Sequence, residues 1–195
     1  MEKTHSRAVF LDRDGTINRL VYYEDHGFVD SPFHPSQVKL IPGAARAMKM
    51  LKKKGFLLVM ASNQPGVAKG NMTPKAYAAV GKKINSLLAR EGAAFDAEYS
   101  CPHHPNAKIA SYRKNCRCRK PKPGMLFAAA KEHNISLSRS YMAGDGINDM
   151  KAARAAGCKA VFIGNFKPEL WGYFKGGKKP DIIAKSLLEA VKKIR

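Results

Sequence analysis

The run Phe10-Leu11-Asp12-Arg13-Asp14-Gly15-Thr16 places two carboxylates one residue apart, just after an apolar stretch and just before a glycine turn. Carboxylates this close repel each other unless a cation, a shared proton or basic neighbours intervene, so Mg2+ is an expected companion. One of the pair could attack as a nucleophile while the other moves protons. The competing reading is a turn and helix cap with no chemistry. Three more polar clusters could join such a site. Ser62 and Asn63 offer a hydroxyl and an amide suited to phosphate oxygens, or form a plain turn. Arg119-Lys120-Pro121-Lys122-Pro123-Gly124 is either an anion site leading into a helix N-terminus or a solvated basic loop. Gly144-Asp145-Gly146-Ile147-Asn148-Asp149 brings two acids that could complete a Mg2+ site, or that merely cap a helix.

A different chemistry is written in the cysteines. Cys101-x-His103 and Cys116-x-Cys118 form two close pairs around a basic loop, and three thiolates with one imidazole suit a closed, tetrahedral Zn2+ site without an open catalytic position. A disulfide is the alternative, disfavoured in a cytosolic chain. His104 could exchange with His103 as the fourth ligand. Cys158 lies on a helix-to-strand turn and reads as a core residue.

The elements that must carry these clusters alternate along the chain. Ala8 to Leu11 reads as a buried strand. Residues Asn18 to Leu40 read as a loop or short hairpin over its end. A helix opens at Pro42-Gly43 and runs through Lys54, and Phe56 to Ala61 is the next strand, ending in the polar turn Ser62 to Gly66. A helix from Thr73 to about Glu91, with Pro74 in its first position, precedes a strand from Phe95 to Ser100. The pattern then gives a helix over Met125 to His133, a strand over Ser140 to Ala143, a helix over Asn148 to Ala156 stopped by Gly157, and a strand over Ala160 to Ile163. A last strand around Asp181 to Ala184 feeds a C-terminal helix. Phe166 to Lys179, aromatic and glycine-rich, reads as a substrate-side loop, a self-association patch, or core packing. This βαβ series predicts a three-layer, Rossmann-like α/β fold: a parallel sheet with helices on both faces, plus a small zinc-binding loop insertion. Asp12 and the other three clusters then all fall at carboxyl ends of strands, where open α/β sheets bind their ligands.

Composition narrows the function classes. The chain has 195 residues, 45% hydrophobic and 26% charged, which suits a single globular domain over 1–195 with a zinc loop at about 101–118. It shows neither a membrane-length apolar run nor a signal-peptide pattern at Met1 to Arg7, so the expectation is a cytoplasmic protein with no membrane partner. The formal charge of +20 implies either attraction to anions or a solvated basic surface. A zinc-containing nucleic-acid-binding module would account for the charge and the cysteines. It leaves Asp12, Asp14 and Asp145 unexplained, and those acids would repel a phosphate backbone.

Taken in order, Asp12-Arg13-Asp14-Gly15-Thr16, Ser62, Lys120 and Gly144-Asp145 with Asp149 resemble the four motifs of the haloacid dehalogenase superfamily of phosphatases, over almost the whole chain. The resemblance implies that Asp12 attacks phosphorus, that Asp14 serves as acid and base, and that Ser62 and Lys120 hold the phosphoryl group. It implies Mg2+ on Asp12, Asp145 and the backbone carbonyl of Asp14, with Asp149 in support. The zinc loop running into Arg119-Lys120-Pro121, with Ser62-Asn63-Gln64-Pro65-Gly66, resembles the subgroup that acts on the 7-phosphate of D-glycero-D-manno-heptose 1,7-bisphosphate and on histidinol phosphate. That resemblance implies a sugar bisphosphate substrate held by Asn63 and Arg119, with a cationic rim from Arg119, Lys122 or Lys69. Histidinol phosphate or a general sugar phosphate is the alternative substrate. One departure is Gly146, which stands where many of that subgroup carry Lys. A monomer or weak homo-oligomer is expected.

Overall fold

The computed structural model describes residues 5–165, 168–177 and 179–195. Six parallel strands form the central sheet: β1 (Arg7–Leu11), β4 (Phe56–Asn63), β5 (Ala97–Cys101), β6 (Tyr141–Gly144), β7 (Lys159–Ile163) and β8 (Ile182–Ala184), in the spatial order β5-β4-β1-β6-β7-β8. A separate antiparallel hairpin, β2 (Val21–Tyr23) with β3 (Phe28–Asp30), fills the segment expected as a loop or hairpin.

The side-chain alternation of β1 explains the three layers. Val9 and Leu11 point into one apolar layer with Met48 and Leu51 of α1 (Ala44–Lys53), Val80, Ile84 and Leu88 of α2 (Pro74–Arg90), and Leu187 and Val191 of α6 (Leu187–Lys193). Ala8 and Phe10 point into the other, with Met125 and Leu126 of α3 (Gly124–Glu132) and Met150 and Ala153 of α4 (Ile147–Ala156). With both faces covered, the central strands are apolar throughout, as parallel sheets require. Thr73 caps α2 by accepting the Ala76 amide at 3.1 Å, and Pro74 occupies the first turn, where its missing N–H costs nothing.

Two sequence expectations are revised. Ser62 and Asn63 belong to β4 rather than to a turn, because pairing with Ser100 and Cys101 of β5 carries the strand past its apolar run. The aromatic segment holds a helix, α5 (Pro168–Lys175), whose Leu170 and Phe174 are buried, the Phe174 ring 6.2 Å from that of Phe162. Core packing is therefore the role of these two side chains, while Trp171 is exposed; Phe166, Lys167 and Lys178 lie outside the described residues. Among the described residues, no helix is long and apolar enough to cross a membrane.

Chain order steps outward from β1 through β4 to β5, then returns to β6 on the other flank. The crevice at such a reversal, beyond the carboxyl ends of β1 and β6, is where ligands enter open α/β sheets. The Asp12 amide donates to the Ala143 carbonyl at 2.9 Å, so the first catalytic candidate is tied to β6 at this point.

Candidate active site

Asp12, Asp14, Ser62, Asn63, Lys120, Asp145 and Asp149 all line one cavity of about 180 Å³ at the switch point. Asp12 leaves the end of β1, and three donors gather on its Oδ1: the Arg13 amide at 2.8 Å, the Ser62 hydroxyl at 2.6 Å and the Lys120 ammonium at 3.0 Å. Among the described residues its Oδ2 takes no hydrogen bond, so one oxygen is fixed and the other faces the cavity without a competing donor.

Lys120 Nζ also lies 2.5 Å from Asp149 Oδ1, while Asp149 Oδ2 accepts the Gly146 amide at 3.1 Å. Both ends of this pair are buried. Burial works against the Lys120 ammonium, but the carboxylates of Asp12 and Asp149 outweigh it and raise its pKa. Burial pushes the Asp149 carboxyl up to about 7 despite Lys120, with Asp12 and Asp145 adding to the rise. Carboxylate oxygens of Asp12, Asp145 and Asp149 lie within 4.8 Å of one another. Three acids against one lysine leave surplus negative charge in an open crevice, and all-oxygen donors of this kind fit Mg2+.

Two glycines make the cluster possible. A Cβ on Gly15, whose φ is +83°, would lie 2.5 Å from Asp145 Oδ2, and one on Gly144 would lie 2.3 Å from Asp149 Cγ.

Asp14 is turned to a different set of partners. Its Oδ1 accepts Asn18 Nδ2 at 2.8 Å, its Oδ2 accepts Gln64 Nε2 at 2.6 Å, and the Arg13 guanidinium spans both oxygens at 3.0–3.3 Å. Sequence reasoning did not single out Arg13, Asn18 or Gln64; their signal was position alone, between or beside the clusters. Asn63 faces Lys120 as a two-point clamp: its Nδ2 donates to the Lys120 carbonyl and its Oδ1 accepts the Lys120 amide, both at 2.9 Å. Arg119, half-buried, donates to the His103 carbonyl at 3.1 Å. On the rim, Lys122 bonds Asn115 Oδ1 at 2.7 Å and Lys69 lies 3.7 Å from Asp30. Asp30 links the cavity to a second groove of about 420 Å³ lined also by Lys69, Asn71, Asn106 and Lys108.

Cys101, at the end of β5, meets His103, Cys116 and Cys118 in a second cluster. Its sulfur–sulfur distances are 3.0, 3.2 and 3.4 Å, and His103 Nδ1 lies 3.5 and 3.7 Å from the Cys118 and Cys101 sulfurs. All four cysteines are free thiols. A tetrahedron built on Zn–S bonds of 2.3 Å has S···S edges of about 3.8 Å, so the four donors need to open only slightly to fit zinc. His104 stays outside this group, its Nδ1 accepting the Asn106 amide at 3.1 Å, and Cys158 is buried in the core.

A family model for haloacid dehalogenase-like hydrolases matches residues 20–157. The chain is 43% identical over 149 residues to the D-glycero-beta-D-manno-heptose-1,7-bisphosphate 7-phosphatase of Yersinia pestis, covering 76% of this chain and 75% of that protein. It is 37% identical over 186 residues to the protein of that name in Haemophilus ducreyi, covering 95% and 96% of the two chains. Among solved structures, a D,D-heptose 1,7-bisphosphate phosphatase of B. bronchiseptica, complexed with magnesium and phosphate, superposes with a TM-score of 0.77 at 27% identity, over 96% of this chain and 97% of that one. A putative phosphatase of the same superfamily from Mesorhizobium loti gives 0.79 at 29% identity, over 98% and 88%. The chain belongs to the haloacid dehalogenase-like hydrolases. Within them it is a phosphatase.

Proposed function

We propose that this enzyme hydrolyses the 7-phosphate of D-glycero-D-manno-heptose 1,7-bisphosphate through an aspartyl phosphate on Asp12. The observation that carries the reading is the arrangement around Asp12, with three donors on Oδ1 and an uncommitted Oδ2 facing the cavity. Oδ2 attacks phosphorus as the ester P–O bond breaks, and Asp14 passes a proton to the departing oxygen. Asp14 then takes a proton from the water that hydrolyses the aspartyl phosphate. Ser62 and Lys120 are within reach of the phosphoryl oxygens and offset their charge. Asp12, Asp145 and the Asp14 main-chain carbonyl would hold Mg2+, which supplies further charge neutralisation at the phosphoryl group. Asp149, with both oxygens occupied by Lys120 and Gly146, supports from behind.

The substrate assignment rests on the named relatives and on the shape of the crevice. A phosphoryl group fits the inner cavity, and the groove beyond Asp30 offers Lys69 and Lys108 to a second phosphate. A cationic rim disfavours histidinol phosphate, whose far end is an amine. The three thiols of Cys101, Cys116 and Cys118, with the His103 imidazole, would hold Zn2+ as a staple within a single domain, and a reducing cytoplasm suits them.

The test is phosphate release with Mg2+ from heptose 1,7-bisphosphate, histidinol phosphate and fructose 1,6-bisphosphate, with Asp12→Asn as the blank. Selective turnover of the heptose ester, lost in the blank, is the expected result. Preference for histidinol phosphate overturns the substrate, and turnover surviving in Asp12→Asn overturns the mechanism.

A further inference from the structure

Asp14 is held by more donors than a mobile acid/base needs. Asn18, Arg13 and Gln64 are all buried, at 0%, 3% and 4% exposure, so none of them is there to meet solvent. Arg13 Nη2 donates to Gln64 Oε1 at 2.6 Å as well as to Asp14, which closes an Arg13–Gln64–Asp14 triangle. Gln64 Nε2 then donates both to Asp14 Oδ2 and, at 3.0 Å, to the Ser62 hydroxyl, which itself donates to Asp12 Oδ1. A single amide thus joins the two aspartates. The Gln64 main chain is fixed too, its amide donating to the Cys101 carbonyl at 2.8 Å. Asn18 Nδ2 donates to Asp14 Oδ1 at 2.8 Å and also to the Arg19 carbonyl at 3.1 Å, which fixes the amide between the two.

The geometry points to Arg13, Asn18 and Gln64 as positioning residues. They fix the Asp14 carboxyl for proton transfer and lock it in register with the nucleophile through Gln64 and Ser62. This inference rests on the acid/base role proposed for Asp14. In the step concerned, the ester oxygen–phosphorus bond breaks while an Asp12 oxygen–phosphorus bond forms, and the Asp14 proton goes to the leaving alkoxide. A poor leaving group needs that proton at the right place; p-nitrophenolate leaves without it.

The test is single-turnover phosphoryl transfer in the Mg2+-supplemented enzyme, from the alkyl ester heptose 1,7-bisphosphate and from p-nitrophenyl phosphate. Gln64→Leu keeps the side chain's size and removes its bonds. It is expected to slow transfer from the alkyl ester by about 10²-fold and from the aryl ester by under about threefold, the range set by general-acid catalysis. Asn18→Ala, which removes one donor and no charge, should move the ratio in the same direction and serves if Gln64→Leu does not fold. A merely structural role would slow both esters equally, so an unchanged ratio in the folded variants overturns the inference, as does a faster alkyl reaction. Failure of the underlying acid/base role shows separately, as an Asp14→Asn variant that slows the alkyl and the aryl ester equally.

Discussion

Replacing Lys120 by methionine separates what the ammonium does for the fold from what it does for the reaction. The wild-type side chain is 2% exposed and lies 2.5 Å from Asp149 and 3.0 Å from Asp12, with Asp145 in the same cluster. Methionine fills a similar volume, so the packing loss is small and the electrostatic loss dominates. Removing one partner of a buried ion pair costs about 3–5 kcal/mol, because the remaining charge stays buried. At about 2–4 °C per kcal/mol for a chain of this size, the melting temperature in magnesium-free buffer should fall by about 6–20 °C. The deficit should be metal-dependent. Three acids without a lysine bind a divalent cation more tightly, and a ligand at a hundred times its Kd adds about 2.7 kcal/mol. Thermal melts over a Mg2+ titration should therefore show a larger Mg2+-induced rise for Lys120→Met than for wild type. Turnover should not recover in step: losing a preorganised donor to the phosphoryl oxygens costs about 10²–10³ in kcat. A variant that melts with wild type in magnesium-free buffer, or gains less from Mg2+, would refute the electrostatic account of the cluster.

Asn63→Ala removes both bonds to the Lys120 main chain and leaves that peptide unpaired, so a loss of about 1–3 kcal/mol is expected by urea denaturation, with a fall in kcat. The metal-free protein should lose stability as pH rises from about 4 to about 7. The Asp149 carboxyl is lifted from 3.8 to about 7, so across that window the native state holds a proton that the unfolded chain has released, and ∂ΔG/∂pH is negative. Urea midpoints in magnesium-free buffer check this, and Asp149→Asn should flatten the slope. Cys118→Ser should lower the zinc content found by metal analysis and lower the melting temperature, while Cys158→Ser, buried in the core away from the cluster, should leave zinc stoichiometry at the wild-type value.

The legible parts of the site were those whose meaning depends on where a strand stops. Lys120 and Asp145 each stand beside a proline or glycine, Asp12 follows an apolar run three residues before Gly15, and the thiols announce themselves by spacing. Direction was not legible. Nothing in Ser62-Asn63-Gln64 tells that the asparagine turns to the Lys120 peptide and the glutamine to Asp14, since an amide in a chain of polar residues carries no sign of its partner. Strand length was set by tertiary pairing, as β5 draws Ser62 and Asn63 into β4. In α5 the four-residue spacing of Leu170 and Phe174 was present, but Gly172, Gly176 and Gly177 made the segment read as a loop until both side chains found Phe162 and the core.

Lys120 and Arg119, expected at the carboxyl end of a strand, sit instead in an irregular connection, because more than 20 residues separate β5 from α3. Lys120 lies near the end of the long, mostly irregular connection over 102–123 between β5 and α3. Such loops are rarely rigid on their own. Contacts from three other parts of the chain brace Lys120: Asn63 of β4 on its peptide, and Asp12 after β1 and Asp149 of α4 on its ammonium; the cluster of Cys101, His103, Cys116 and Cys118 ends two residues upstream. Arg119 closes the same loop onto the His103 carbonyl. The Zn2+ proposed for that cluster would restrain the chain where no hydrogen-bond ladder can, which gives a centre with no open coordination place a purpose close to Lys120. It would help to aim the Lys120 ammonium at Asp12 and Asp149.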